Sequence, residues 1–312
     1  MDIVVRTQNL GKSFGEIRAV ENLNLEIGRG EMFCLVGPDG AGKTTAIRLL
    51  CGILKPTSGK VELLGYELEK NRDKLKSRIG YLSQKFSLYG DLTVDENIEF
   101  FAEIHGVGDF RRRRNELLEF TRMAPFRSRL AENLSGGMKQ KLALACTLVH
   151  TPDILLLDEP TTGVDVVSRR DFWKILSSLL RTGITIIMAT PYLDEAERSS
   201  RVALINQGRL MAADTPQNIK TLMTGRVIEI VCAGIRRAVR VLRDAPGVLE
   251  VQAFGDRLNA VVEDPGRDLP GILARLRAES LDVAQWREIP TSLENVFISV
   301  TRPRTNEETI QP

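Results

Sequence analysis

Three apolar runs stand out in the hydrophobic pattern, at residues 32–36, 154–157 and 184–189, and only the third contains a polar residue, Thr185. A strand that is buried on both faces has this appearance, because neither side of its pleat meets water. Stretches with helical spacing accompany them, for example at residues 141–149 and 166–180. Buried strands that alternate with helices predict an α/β fold.

The region from residue 93 to residue 150 is interpreted as mostly helical, and we predict a helical subdomain at about residues 90–150. Thr93 and Glu96 have the Thr-x-x-Glu spacing of a capping box at the start of its first helix. Four consecutive arginines, Arg111–Arg114, are interpreted as a solvated helix face. A contact with anionic lipid or nucleic acid is the alternative.

The pattern changes after residue 223, where strand-like and helical segments follow one another in the order β-α-β-β-α-β. This order predicts a small α+β domain with a ferredoxin-like fold. Gly255-Asp256 is the predicted turn of its central hairpin, and Trp286 is expected in its core. No catalytic constellation is visible in this part. We expect a dimer contact or a regulatory role, and a mere cap on the first domain is the alternative.

Two domains are expected, because 312 residues exceed the size of one typical domain. The first is predicted at residues 1–223 and the second at residues 224–302. Residues 303–312 are polar and are predicted to form a disordered tail.

The composition, with 43% hydrophobic and 27% charged residues, is ordinary for a soluble globular protein. The net charge of +2 gives no general argument for nucleic-acid binding, and no nucleic-acid partner is expected. Three of the four scattered cysteines lie in apolar surroundings and are expected to be buried free thiols of a reducing compartment. Neither a leader nor the ~20 apolar residues of a membrane span are visible. We therefore expect a cytosolic protein, and any membrane span would come from another chain.

The first apolar run leads into Gly37-Pro38-Asp39-Gly40-Ala41-Gly42-Lys43-Thr44-Thr45, which fits the pattern G-x-x-x-x-G-K-[ST]. A glycine-rich turn lets backbone N–H groups converge on a phosphate, and the N-terminus of the following helix adds partial positive charge. Lys43 is predicted to reach the β- and γ-phosphates, and the Thr44 hydroxyl to bind Mg²⁺. The alternative is a chance glycine turn.

The second apolar run ends in Asp158 and Glu159, at the edge where α/β sheets bind ligands. Asp158 is suited to hold Mg²⁺ through its water shell. Glu159 is suited to orient or deprotonate a water that attacks the γ-phosphate. Gln84, which ends another predicted strand, has the chemistry to touch both the metal ion and that water. An ordinary strand-end turn and a solvated loop glutamine are the alternatives.

A second anion-binding helix terminus is predicted at Ser135-Gly136-Gly137, which opens the helix that continues through residues 141–149. Its free N–H groups and serine hydroxyl are suited to phosphate oxygens. Two such termini for one nucleotide indicate that one of them comes from a second subunit.

Taken together, these residues resemble the ATP-binding subunit of ABC transporters, over roughly residues 1–223. The matching motifs are the Walker A loop at Gly37–Thr45, the Q-loop at Gln84, the signature motif at residues 134–140, Walker B at residues 154–158 with Glu159 as catalytic base, and the D-loop at residues 163–165. The Gly-Pro-Asp-Gly sequence in the first motif is most similar to that of bacterial drug- or multidrug-export systems.

The resemblance implies a P-loop ATPase with ATP and Mg²⁺ as cofactors. Catalysis is then assigned to Glu159, Gln84 and Lys43, and the metal ion to Thr44, Gln84 and Asp158. Nucleotide binding is assigned to Phe14, Gly37, Pro38, Asp39, Gly40, Ala41, Gly42, Lys43, Thr44, Thr45, Ser135, Gly136 and Gly137. Phe14 would stack on the base, and a core or turn aromatic is the equal alternative without the resemblance.

The same resemblance implies a head-to-tail dimer of ATPase domains, as a homodimer or a heterodimer. Two ATP·Mg²⁺ would lie between the Walker A loop of one domain and the signature helix of the other. Hydrolysis coupled to closure and reopening would drive polytopic membrane permease subunits that export drugs or other small molecules. The region between Gln84 and Leu134 would dock a permease helix. The subunit would lie peripherally on the cytoplasmic face of the cell inner membrane.

One position departs from the family pattern, because Pro191 stands where a switch histidine is usual. Proline offers neither a side-chain donor nor a backbone N–H. His105 and His150 offer no obvious replacement. We therefore expect slow hydrolysis at the site built on this chain's own Walker motifs, and a second ATPase domain that carries the histidine.

Two other functions are weighed against this one. A ribosome-acting member of the ATPase superfamily usually carries two ATPase domains and a charged linker in one chain, and this chain has neither feature. A nucleotide-binding regulatory subunit, whose closure matters more than its turnover, is kept open by Pro191.

Overall fold

The computed structural model describes residues 2–85 and 88–301, and it divides into two compact units after Ala213. The tail predicted at residues 303–312 lies outside the described residues. None of the helices in the described ranges has the length and apolarity that crossing a bilayer requires.

The first unit combines two sheets with a helical region. Its elements are β1 (Ile3–Phe14), β2 (Ile17–Gly28), β3 (Met32–Val36), α1 (Lys43–Leu50), β4 (Ser58–Leu63), β5 (Tyr66–Glu67), α2 (Arg72–Lys76), β6 (Ile79–Leu82), α3 (Val94–Ile104), α4 (Phe110–Thr121), α5 (Gly136–Leu148), β7 (Ile154–Asp158), α6 (Val166–Arg181), β8 (Thr185–Thr190), α7 (Leu193–Ala196), β9 (Arg201–Asn206) and β10 (Arg209–Asp214).

The central sheet of this unit has the strand order β10-β9-β3-β8-β7-β6. Strands β9, β3, β8, β7 and β6 run parallel to one another. Strands β3, β7 and β8 are buried at every position, which confirms the interpretation of the three apolar runs. Because parallel strands end at the same edge of a sheet, the segments that follow β3, β6, β7 and β8 meet there.

The second sheet has the order β2-β1-β4-β5, and its first two strands have 12 residues each. The pairing of β1 with β2 shifts register between Thr7 and Leu10. Asn9, inside this shift, has a φ of 47°. A bulge of this kind interrupts the alternation of side chains, so the hydrophobic pattern reveals only parts of each strand.

The helical region begins as predicted, with Thr93 as the N-cap of α3. The Glu96 N–H donates to the Thr93 hydroxyl at 3.2 Å, and the Thr93 N–H donates to the Glu96 carboxylate at 2.7 Å, which confirms the capping box. The arginine run on α4 is solvated only in part. Arg114 is largely buried, and its guanidinium lies 3.4 Å from the Asp95 carboxylate on α3. That arginine therefore joins two helices of the region.

The chain's two histidines connect the helical region to the central sheet. His105 and His150 stack with ring centroids 3.9 Å apart. His150 Nε2 lies 3.0 Å from the carbonyl oxygen of Ile79, at the start of the strand that leads to Gln84. Burial lowers the pKa of His150 to about 4, and the neighbouring His105 acts in the same direction.

The protein should lose stability as the pH falls from 6.5 toward 4 because of His150. Its pKa is 6.5 in the unfolded chain and about 4 in the folded protein, so between these values the unfolded state binds more protons and is favoured. Thermal unfolding of the wild type and of His150→Gln at pH 7 and pH 5 checks this. The melting temperature of the wild type should fall further than that of the variant, and equal decreases would contradict the assignment.

The second unit contains α8 (Pro216–Lys220), β11 (Arg226–Cys232), α9 (Ile235–Arg243), β12 (Val248–Phe254), β13 (Arg257–Val262), α10 (Pro265–Ala278), β14 (Val283–Ile289) and α11 (Leu293–Thr301). Its sheet has the order β12-β13-β11-β14, with antiparallel neighbours throughout. The predicted β-α-β-β-α-β order and the ferredoxin-like α+β fold are therefore confirmed.

Two expectations for this unit differ from the structure. The unit begins before the boundary predicted at residue 223, because Thr215 caps α8 by accepting from the Asn218 N–H at 3.1 Å and α8 packs against α11. The core position expected for Trp286 is wrong, since this side chain is 47% exposed. It lies on β14, an edge strand of the sheet, where one side has no neighbouring strand.

Candidate functional site

The loop between β3 and α1 is held in place by close backbone contacts at two glycines. A Cβ added at Gly37 would lie 2.0 Å from the Ile205 carbonyl oxygen, and one at Gly42 would lie 2.2 Å from the Ala19 carbonyl oxygen. Gly42 also has a φ of 99°, a left-handed conformation that favours glycine. The loop therefore fits tightly against β2 and the end of β9, and α1 starts directly after it.

Lys43, the first residue of α1, is only 3% exposed. Its ammonium donates to the carbonyl oxygens of Gly37 at 2.9 Å and Pro38 at 3.0 Å, and it lies 3.5 Å from Glu159 Oε1. A buried ammonium needs such partners, because a charge without them is costly to remove from water. The structure thus brings the predicted phosphate-binding lysine and the predicted base together.

Asp158 is completely buried at the end of β7. The Thr44 hydroxyl donates to Oδ1 at 2.8 Å, and the Tyr81 hydroxyl lies 3.4 Å from Oδ2. Burial raises the pKa of Asp158, the hydrogen bond from Thr44 opposes this rise, and the charge of Glu159 adds to it. A carboxylate in this setting is stabilised by a cation, so Asp158 and Thr44 form a suitable pair for Mg²⁺.

Glu159 has a φ of 48°, which is uncommon for a residue other than glycine. Its N–H donates to the Ala189 carbonyl oxygen in β8 at 2.9 Å, and its Oε2 accepts from Gln84 Nε2 at 2.9 Å. Backbone strain of about 1–3 kcal/mol persists where the surrounding structure fixes a functional geometry. The turn after β7 therefore aims the Glu159 carboxylate at both Gln84 and Lys43.

A cavity of about 530 Å³ adjoins these groups. The predicted site residues that line it are Asp39, Gly40, Ala41, Gly42, Lys43, Thr44, Thr45, Gln84 and Glu159. Four other lining residues are absent from the sequence prediction, namely Ile17, Arg18, Ala19 and Gln207. Gln207 lies there because its turn packs on the loop, with the Gly208 N–H donating to the Ala41 carbonyl oxygen at 2.9 Å. No local pattern marks such a contact.

Phe14 and the Ser135-Gly136-Gly137 turn do not line this cavity. Phe14 is 49% exposed at the end of β1. Ser135 caps α5, and its Oγ accepts from the Met138 N–H at 3.4 Å, so the second helix terminus is formed as predicted. The predicted nucleotide-binding residues are thus divided between the cavity with its loop, the end of β1 and the exposed start of α5.

The donor set of the cavity fits a nucleotide phosphate together with Mg²⁺. Lys43 and the loop amides offer positive charge, whereas Thr44 and Asp158 offer oxygen ligands. In residues 2–85 and 88–301, no group of three or more His, Cys, Asp or Glu side chains could hold a metal ion by itself. Mg²⁺ is usually bound by one or two carboxylates together with substrate phosphates.

Pro191 comes directly after the end of β8, close in register to the other strand ends. Val36 pairs with Thr190, and Asp158 pairs with Ala189. The position usual for a switch histidine is therefore at the edge of the sheet where the loop and the carboxylates begin. The rings of the two histidines stack on each other, and neither histidine lines the cavity.

Gly42→Ala should destabilise the protein by about 1–3 kcal/mol more than Gly40→Ala. Both glycines have a positive φ, 99° and 78°, so the backbone penalty is similar. An added Cβ would clash with the Ala19 carbonyl oxygen at Gly42 but meets nothing within 4 Å at Gly40. Urea unfolding of both variants without nucleotide checks this. Equal free energies of unfolding would contradict the close approach.

The chain is similar to known proteins over parts of both units. The "ABC transporter" family matches residues 20–162, and the family "ATP-binding protein DrrA1-3-like, C-terminal domain" matches residues 215–301. The daunorubicin resistance ATP-binding protein DrrA2 of Streptomyces coeruleorubidus is 35% identical over 308 residues, which is 96% of each chain. The probable multidrug ABC transporter ATP-binding protein YbhF of Escherichia coli strain K12 is 42% identical over 223 residues. That match covers 70% of this chain and 38% of the relative, so the chain spans less than half of the relative's length.

Among solved structures, a dimeric ATP-binding cassette in a post-hydrolysis state with ADP and Pi is similar to this chain. It has a TM-score of 0.62 and 28% identity, and the match covers 68% of this chain and 98% of that one. The motifs, the fold and the relative matched over almost its full length all point the same way. The chain belongs to the ATP-binding proteins of the ABC transporter family.

Proposed function

We propose that this chain is the ATP-binding and ATP-hydrolysing subunit of an exporter of drugs or other small molecules. The observation that carries the proposal is the meeting of Lys43, Glu159 and Gln84, beside the pair formed by Thr44 and Asp158. These groups follow three different parallel strands, β3, β7 and β6. Together they supply the charges and the polar contacts that phosphoryl transfer to water requires.

The loop and the start of α1 are the proposed phosphate-binding elements. The backbone N–H groups of residues 37–45 and the helix terminus favour anionic oxygens, and Lys43 would exchange its carbonyl partners for them. Thr44, Asp158 and Gln84 are the proposed metal-side residues. Bound Mg²⁺ supplies charge neutralisation at the β- and γ-phosphates. The exposed ring of Phe14 is the proposed contact for the base.

Glu159 is the proposed general base, which orients a water molecule or accepts its proton at a carboxylate oxygen. Gln84 fixes that carboxylate through the 2.9 Å hydrogen bond to Oε2. Thr162 adds a weaker contact, since its hydroxyl lies 3.4 Å from the same oxygen. Two side chains therefore hold the carboxylate of the proposed base in place.

A facing ATPase domain, in a homodimer or a heterodimer, completes the proposed site. Ser135, Gly136 and Gly137 would bring the N-terminus of α5 to the phosphates of the other protomer. Val166 and Val167, at the start of α6, are 79% and 71% exposed. Exposed apolar neighbours of this kind support a protein partner on this face.

The transport side of the proposal places permease subunits with membrane spans beside this chain, at the cytoplasmic face of the inner membrane. The relatives support export, since one is named for daunorubicin resistance and another is a probable multidrug transporter protein. In this arrangement the permease subunits select the cargo, and this chain supplies the energy.

Glu159→Gln should lower ATP turnover by about 100-fold or more, because the amide cannot accept a proton from water. Nucleotide affinity should change little, since Lys43 and the loop are intact. Steady-state phosphate release and the binding of a fluorescent nucleotide analogue measure the two quantities. Lys43→Ala is the contrasting variant and should lose binding as well as turnover. A Glu159→Gln protein that hydrolyses ATP at the wild-type rate would refute the proposal.

Pro191→His should raise the ATP turnover of the purified chain by about tenfold or more, because an imidazole restores a donor at the end of β8. Pro191→Ala is the matched control. It removes the proline ring without adding an imidazole, so its turnover should remain low. Phosphate release is measured with no partner ATPase present. If the wild type turns over ATP as fast as Pro191→His, slow hydrolysis is not a property of this site.

A further inference from the structure

A buried carboxylate on α7 lies outside the cavity. It contacts the turn that carries the proposed general base and the end of β8. Glu195 is 1% exposed. The Thr161 hydroxyl donates to its Oε1 at 2.6 Å, and the Thr190 hydroxyl donates to its Oε2 at 2.9 Å. Each carboxylate oxygen therefore accepts a hydrogen bond from a different part of the chain, and both distances lie within the usual range for a hydroxyl donor.

One threonine belongs to the turn after β7, and the other is the last residue of β8. Thr161 follows Glu159 by two residues, and Thr190 ends β8 immediately before Pro191. The same two segments are also joined by their backbones, since the Glu159 N–H donates to the Ala189 carbonyl oxygen at 2.9 Å. Glu195 thus clamps the turn that carries the proposed base to the strand end that precedes the switch position.

A third element reaches the same carboxylate. Arg169 on α6 places its Nε 3.5 Å from Glu195 Oε1, within ion-pair distance, although this buried nitrogen makes no hydrogen bond among the described residues. The Arg169 guanidinium also lies over the Tyr192 ring, 4.8 Å from its centroid. Asp165 is the N-cap of α6 and the last residue of the segment that resembles the D-loop. The carboxylate therefore links three segments of the proposed site.

A buried carboxylate is an expensive way to hold three segments together, because apolar side chains of similar volume often stabilise a fold better than buried charges. A neutral glutamine could not accept at both ends, since one of its two terminal groups only donates. The charge and the double acceptor are thus matched to this geometry.

We propose that Glu195 is a positioning residue for Glu159, which fixes the turn after β7 against the end of β8 so that the base faces the cavity. Pro191 has no donor of its own, and the polar link at this strand end is the hydrogen bond that the carboxylate accepts from Thr190. The inference rests on the proposed ATP hydrolysis. Its mechanism is geometric, and Glu195 itself touches no substrate.

Glu31 is a matched control within the same unit. It is 6% exposed, its Oε2 accepts from the Gly28 N–H at 2.7 Å, and its Oε1 lies 3.3 Å from the Arg201 guanidinium. Glu31 precedes β3, at the amino end of the strands, whereas Glu195 acts at their carboxyl ends. Loss of either carboxylate should reduce stability, but only the loss of Glu195 should disturb the base.

The test compares Glu195→Ala, Glu195→Gln and Glu31→Ala in the full chain, with the folded fraction of each measured by circular dichroism. For folded Glu195→Ala we expect kcat to fall by about 10- to 100-fold, while the dissociation constant of a fluorescent nucleotide analogue stays within about twofold of the wild type. Glu195→Gln should lie between, because it keeps one acceptor. Glu31→Ala should melt at a lower temperature with the kcat of its folded fraction unchanged.

Thr161→Val keeps the test decisive if Glu195→Ala fails to fold. It removes one hydroxyl and should lower kcat about fivefold without changing nucleotide affinity. Added to Glu195→Gln, it should lower kcat by less than its effect in the wild type, since the two changes act on one contact. A wild-type kcat in Thr161→Val and Glu195→Gln, or losses that only follow the folded fraction, would overturn the inference. Failure of the proposed function is distinguishable, because Glu159→Gln would then leave turnover unchanged.

Discussion

The parallel register of β3, β7 and β8 is the constraint on which the site depends. Val36 pairs with Thr190, and Asp158 pairs with Ala189, so the carboxyl ends of the three strands lie side by side at one edge of the sheet. All three strands are buried along their length, and a polar group without a hydrogen-bond partner is costly to bury there. The phosphate loop, the carboxylates and the switch position therefore crowd into the same place.

Charge compensation explains why these groups tolerate their burial. The Lys43 ammonium faces two carbonyl oxygens and Glu159, and Glu159 in turn accepts from Gln84. Asp158 is stabilised by the Thr44 hydroxyl. In such a network the removal of one partner leaves another charge uncompensated, which costs more than the lost contact alone. The network depends on the closeness of the loop, the helix and the strand ends in space, and not on their order along the chain.

Much of this could be predicted from the sequence, because several features are local. An unbroken apolar run indicates a fully buried strand, and the pattern of Gly37–Thr45 specifies its own backbone geometry. The capping box at Thr93 is equally local. These elements could be predicted because the residues that define each pattern lie close together in the sequence.

The remaining features depend on pairings that the sequence pattern does not contain. Tyr81 and Gln207 reach the site only because β6 pairs with β7 and because the turn after β9 packs on the loop. Trp286 looks like a core residue until β14 is found at the edge of its sheet. The N-terminal strands are hard to recognise in the sequence because a bulge at Asn9 breaks their alternation. In each case tertiary context changed the outcome of a correct local rule.

The division of the nucleotide-binding residues has a thermodynamic consequence for the proposed dimer. The terminus of α1 belongs to the cavity, whereas the terminus of α5, capped by Ser135, is exposed and formed in advance. One lysine and one helix terminus balance only part of a triphosphate's charge, so a second terminus from a facing chain adds donors where charge remains. In the proposed dimer, the facing chain brings that terminus to the phosphates only when the two chains associate. Nucleotide binding and association must therefore strengthen each other by the same free energy.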